Sequence, residues 1–134
     1  MLHYSTEYIK QVDMIARKYK AGGVEVKRVL FQAFCYNIYG CALWSQYKHC
    51  NINRIRVHYN NILRQMLNVR PWESASHMFV SHNLRGFHAL RRYACYSLMS
   101  RVMGSNNALV TLVVNSDARA TSSTWNMWHN ILYV

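Results

Sequence analysis

Tyr4, Tyr8, Val12, Ile15 and Tyr19 recur at spacings of 4-4-3-4, which lines one side of a helix. Lys10, Arg17, Lys18 and Lys20 sit off that stripe or at its end, and Gly22-Gly23 supplies the stop. A second helix is predicted over residues 24–47. Val26, Val29, Leu30, Ala33 and Phe34 form one of its faces, and Phe31, Cys35, Tyr39, Ala42 and Leu43 form another. A helix apolar on two faces belongs at the centre of a bundle.

After the polar joint Lys48-His49-Cys50-Asn51, a third helix is predicted over 52–67. Ile52, Ile55, Tyr59, Ile62 and Met66 repeat at 3-4-3-4, with a polar stripe of Asn53, Arg56, Asn60 and Arg64 beside them. Pro71 disfavours the α conformation at Arg70, so 69–72 reads as a loop. Residues 74–80 read as a short turn capped by Ser74 or Ser76. A further helix covers 84–103, with Phe87, Leu90, Ala94, Leu98 and Val102 facing the core, and Gly104-Ser105-Asn106-Asn107 ends it. The apolar run 108–114 reads as a strand in isolation and as a short packed helix in this helical setting. Residues 116–124 form a polar link, and Trp125, Trp128 and Leu132 then mark a last amphipathic segment. The pattern predicts an all-α domain over 1–134. It comprises a compact bundle of about four main helices within 1–115, and the link and Trp-containing helix within 116–134.

Composition narrows the function. Half the 134 residues are hydrophobic and 16% are charged, which excludes a disordered chain. Sixteen Lys and Arg face five Asp and Glu, a formal net charge of +11. So basic a body favours polyanions: nucleic acid or an anionic membrane surface. The five acids, Glu7, Asp13, Glu25, Glu73 and Asp117, are scattered, whereas metal-assisted phosphoryl transfer needs clustered carboxylates. No catalytic residue is expected. The first residues lack the apolar core of a secretory leader, and the apolar run 29–44 is too short to span a bilayer. An intracellular protein, nuclear or cytoplasmic, with reduced thiols is expected.

Between Lys48 and Arg101 lie nine basic residues, eight of them Arg, against the single acid Glu73. Arg favours planar, bidentate phosphate contacts. Tyr59, Trp72, Tyr93 and Tyr96 are interleaved, a mix that suits backbone tracking with some stacking. Arg56, Asn60 and Arg64 share a helix face, as do Arg92 and Tyr96. Arg91 and Arg101 project near the apolar stripe and read as structural. Lys27 and Arg28 occupy the first turns of a helix, where the macrodipole disfavours cations, so local stability does not account for them. His49 and Cys50 with Cys41 and His58 are the best metal candidates, but no tight chelating pair exists, and neither metal nor cofactor is expected. No glycine-rich nucleotide-binding loop is present.

Four stretches, KRVLFQAFCYNIYGCALWSQY, RIRVHYNNILRQML, SASHMF and FHALRRYACYSLMSRVMGSNN, together resemble the C-terminal region of reverse transcriptases from non-LTR (LINE-type) retrotransposons. The matching positions include Lys27, Phe31, Cys35, Tyr39, Gly40 and Trp44, then Arg56, Tyr59, Asn60, Arg64, Pro71, Ser74 and Phe79. Phe87, Leu90, Arg92, Tyr96, Arg101, Ser105 and Asn107 complete them. The resemblance runs from about Tyr8 onward. It implies the thumb and the segment after it, a helical bundle that holds the template–primer duplex. Fingers and palm, with their metal-binding carboxylates, are missing, so a fragment of a longer element is expected.

The expected partners are then an RNA–DNA or DNA duplex backbone, and a missing palm domain or a second copy on the face the palm would cover. The expected duplex-binding residues are Lys27, Arg28, Asn53, Arg56, Asn60, Arg64, Arg92 and Tyr96. The alternative is a basic helical adaptor that binds a protein or an anionic membrane.

Overall fold

The computed structural model describes residues 2–38 and 40–134, leaving out the side chains at 2–5, 8 and 12. Tyr4, Tyr8 and Val12 of the first predicted stripe, and Tyr39 of the family pattern, therefore lie outside the described residues. The described chain is all-α: α1 (Leu2–Lys18), α2 (Val24–Cys35), the 3₁₀ helix η1 (Cys41–Gln46), α3 (His49–Leu67), α4 (Ala75–Ser81), α5 (Phe87–Met103), α6 (Ala108–Asn115), α7 (Ala118–Thr121) and α8 (Ser123–Tyr133). The backbone forms two compact units. One comprises Met1–Asn37 with Lys48–Phe87, the other Ile38–Tyr47 with His88–Val134.

In the first unit α3 packs against α1 and α2. Its buried residues are Ile52, Ile55, Tyr59, Ile62, Leu63 and Met66, the predicted stripe with Leu63 added. Burying side chains of this size contributes about 1.5–3 kcal/mol each. Tyr59 is at the middle of an aromatic group, 5.1 Å from Phe31, 5.6 Å from Phe79 and 6.2 Å from Phe87 between ring centroids. Its hydroxyl donates to the Arg85 carbonyl at 2.7 Å, and the Arg85 N–H donates to the Tyr36 hydroxyl at 2.6 Å. One peptide position of the 82–86 connection is thus held on both sides by tyrosines.

Two helices of this unit stop in the same way. Asn68 takes φ 56° after α3, where Val69 N–H bonds to the Arg64 carbonyl and Asn68 N–H to that of Gln65. Asn83 takes φ 51° after α4, where Leu84 N–H bonds to the Phe79 carbonyl and Asn83 N–H to that of Val80. Both are Schellman closures, with Asn in the left-handed region usually left to Gly. Ser74 stands at the N-cap of α4 as one of the two predicted choices, without a side-chain capping bond.

The continuous helix predicted over 24–47 is not formed. α2 ends at Cys35, and Gly40 turns the chain at φ 70°, a left-handed conformation that strains any residue with a Cβ. The break separates two burials: Phe31 and Cys35 enter the first unit's core, whereas Cys41 and Ala42 belong to the second unit. Nor is α2 central on both faces. Lys27, Phe31 and Cys35 are buried, while Val24, Val26, Val29 and Phe34 are exposed.

In the second unit Ala42, Cys95 and Trp128 form the core, with Ala94, Leu98, Val102 and Ile131 packed around them. The Trp128 indole N–H donates to the Ala42 carbonyl at 2.5 Å, so the predicted terminal helix docks on η1. Ser45 with Thr124, and Gln46 with Ser123, add hydrogen bonds at 3.1 Å. The run 108–114 is helical because Asn107 caps it, its side chain accepting from the N–H groups of Leu109 and Val110. It is not packed as expected: α6 has no buried residue, and Leu109 and Leu112 are 75% and 71% exposed. The 116–124 link is itself partly helical, as α7 and the start of α8.

Candidate nucleic-acid interface

The expected binding residues fall in both units: Lys27, Arg28, Asn53, Arg56, Asn60 and Arg64 in the first, Arg92 and Tyr96 in the second. Lys27 is only 9% exposed and shares its face with Phe31 and Cys35, four and eight residues on. Its stem packs as a hydrophobe would, leaving little surface to offer a phosphate. Arg28 is held by Glu25, with Nη2 2.5 Å from Oε1 and Nε 3.0 Å from Oε2. That hydrogen-bonded pair holds the Glu25 carboxyl below its ordinary range and raises Arg28. The cation near the start of α2 thus has a local partner one turn away.

On α3 the polar stripe is present. Arg56 donates from Nε and Nη2 to Asn53 Oδ1 at 2.9 and 2.7 Å, which orients the guanidinium along the helix surface and leaves its other N–H groups available. Asn60 is half-buried. Arg64 is committed internally. Nη1 donates to Asn61 Oδ1 at 3.2 Å, Nη2 donates to the Glu73 carbonyl at 3.0 Å, and Nε is buried without a hydrogen-bond partner.

In the second unit Arg92 donates from Nε to the Ile131 carbonyl at 3.0 Å, which satisfies a terminal carbonyl of α8. Tyr96 is exposed. Arg91 is half-buried, with Nη2 donating to Met127 Sδ at 3.4 Å and Nε buried without a hydrogen-bond partner. Arg101 is exposed and bonds to Ser97 O within its own helix.

Of the interleaved aromatics, Tyr59 is 1% exposed and belongs to the core, so it cannot stack on a base. Its place in the apolar 3-4-3-4 stripe was the signal. Trp72, Tyr93 and Tyr96 are exposed, and the Arg70 guanidinium lies 5.5 Å from the Trp72 ring centre.

Sequence reasoning missed a cleft of about 600 Å³ where the ends of α1 and α3 meet, bordered by Arg17, Lys20 and Arg64. Arg17 and Lys20 read in the sequence only as charges off the apolar stripe. The tyrosine clamp on Arg85 was also missed, because it joins residues 26 and 49 positions apart.

Among the described residues no three His, Cys, Asp or Glu side chains converge to hold a metal, and no helix is long and apolar enough to cross a membrane. Cys35, Cys41 and Cys95 are buried thiols. Burial pushes Cys35 up to about 12 and Cys41 up to about 11, and raises Cys95 as well, so they are poor nucleophiles. Cys50 is exposed. Among the described residues one ion pair forms, Arg28 with Glu25. No family model, curated protein or solved structure matches the chain.

Proposed function

We propose that the chain binds a nucleic-acid duplex through its backbone phosphates, as the thumb part of a retrotransposon reverse transcriptase, and that it carries no polymerase chemistry itself. The observation that supports this most is charge left without compensation. A net +11 is set against one ion pair among the described residues, so most of the basic surface meets water with no carboxylate beside it. Arg56, oriented by Asn53, is the best placed of the expected ligands. Such contacts go to phosphate and sugar, and binding follows duplex shape more than sequence.

The test is fluorescence anisotropy on an RNA–DNA hybrid and a DNA duplex from 50 to 300 mM salt. A steep log–log decline, about 0.9 per phosphate contact on a B-form duplex, is expected. Affinity independent of salt would sink the reading. The second reading, a protein-binding adaptor, draws on Val24, Val26, Val29 and Phe34, which leave an apolar side of α2 open to water. An apolar interface of that kind would hold its affinity as salt rises.

A further inference from the structure

The cleft at the ends of α1 and α3 combines three cations, Arg17, Lys20 and Arg64, with the side-chain amides of Asn61, Gln65 and Asn68, and among the described residues no carboxylate borders it. Basic residues at helix C-termini commonly serve the terminal carbonyls. Here backbone groups already do so. The Arg64 and Gln65 carbonyls accept from Val69 and Asn68, and those of Ile15 and Arg17 accept from Tyr19 and Lys20. Arg64 itself is held at the cleft edge by its bonds to Asn61 Oδ1 and the Glu73 carbonyl. Three positive charges round one concavity, with no carboxylate among the described residues that border it, call for an anion.

Pro71 borders the same cleft, and Trp72 follows it with 76% of its surface exposed. An indole left this open beside an arginine is a platform for a nucleobase. Bases inside a duplex are stacked on each other and cannot use it. We infer that the first unit holds an unpaired, single-stranded nucleic-acid segment, with its phosphates in the α1–α3 cleft and a base against Trp72. This rests on the nucleic-acid reading above and narrows it, because Arg56 and Asn53 on α3 address a duplex and the cleft an unpaired strand.

The test uses the whole chain, a fluorescein-labelled dT12 strand and a blunt 12-base-pair DNA duplex, in anisotropy titrations over several salt concentrations. Trp72→Ala is expected to weaken dT12 binding about tenfold and to leave the duplex within about twofold. Arg17→Gln with Lys20→Gln should lower the single-strand salt slope by about 1.4, at about 0.7 per phosphate contact. Arg101→Gln should change neither. Phosphatidylserine vesicles should not displace dT12. The inference is overturned if Trp72→Ala leaves dT12 affinity unchanged, if it weakens strand and duplex alike, or if the vesicles compete through Trp72. Duplex binding without dT12 binding defeats this inference alone. Trp72-dependent dT12 binding without duplex binding supports it and defeats the duplex reading. Trp72 is a surface residue, and equal thermal melts of variant and parent confirm that the fold is kept.

Discussion

α2 and α3 are both rich in apolar residues, yet they use them in opposite ways. On α3 the apolar positions, Val57 excepted, gather on one side, and that side is the buried face. On α2 apolar residues occur all round, and the face chosen for burial contains a lysine and a cysteine with Phe31, while Val24, Val26, Val29 and Phe34 stay outside. Periodicity identifies a buried face only when the polar residues leave one choice. Where both faces are apolar, the shape of the neighbouring core decides, and here the ring of Phe31 fits beside Tyr59 and Phe79.

The sharpest contrast is between single deletions on the two helices. Leu63→Ala removes a fully buried side chain and is expected to cost about 2–5 kcal/mol in urea unfolding. Val29→Ala on the open side of α2 should stay within about 0.5 kcal/mol. A comparable loss at Val29 would mean that this side is covered, and the contrast would collapse.

Next in size is a pH effect at Cys35 on α2. Burial raises Cys35 from 9.0 to about 12, so the folded state favours the protonated thiol. Its contribution is complete below the ordinary value and is lost as pH rises from there toward 12. The difference in stability between the parent and Cys35→Ala should shrink by about 2 kcal/mol between pH 8 and pH 11. A difference constant across that range would refute burial as the state of this thiol.

Tyr59→Phe keeps the ring among its aromatic neighbours and removes the bond to the Arg85 carbonyl, for an expected loss of about 1 kcal/mol. Faster amide exchange at Arg85 would identify the 82–86 connection as the part released. The smallest effect is expected at Lys27. Lys27→Met keeps the stem and drops the charge, and should shift stability by less than about 1 kcal/mol in the stabilising direction. It should leave the duplex salt slope unchanged. A slope reduced by about 0.9 would instead make Lys27 a phosphate contact.

Much of the fold could be read from the chain: the helical class, α3 with its stripe, the end of α5 at Gly104, and the docking of Trp128. What escaped has physical reasons. The break between α2 and η1 lies in an apolar run where a helix pattern overrode Gly40, whose positive φ is the actual signal. Asn68 and Asn83 close helices in a conformation that asparagine reaches but does not announce. For the site, charge proved a poor guide to availability. Lys27 is buried, and Arg64 and the exposed Arg92 are tied to carbonyls near helix ends. Those carbonyls are nine and thirty-nine positions distant, beyond any local pattern.

The passage of residues 38–47 into the second unit also bears on how the chain comes off the ribosome. Every part of the first unit has been made once Phe87 is synthesised, and it can close while translation continues. η1 is already outside by then, but the indole that covers Ala42 lies 86 residues further along. At about 5–20 residues per second, the chain needs several seconds more to supply it. Throughout that interval Ala42 is without Trp128. This is the stage of synthesis at which a chaperone that shields short apolar segments would have most to hold.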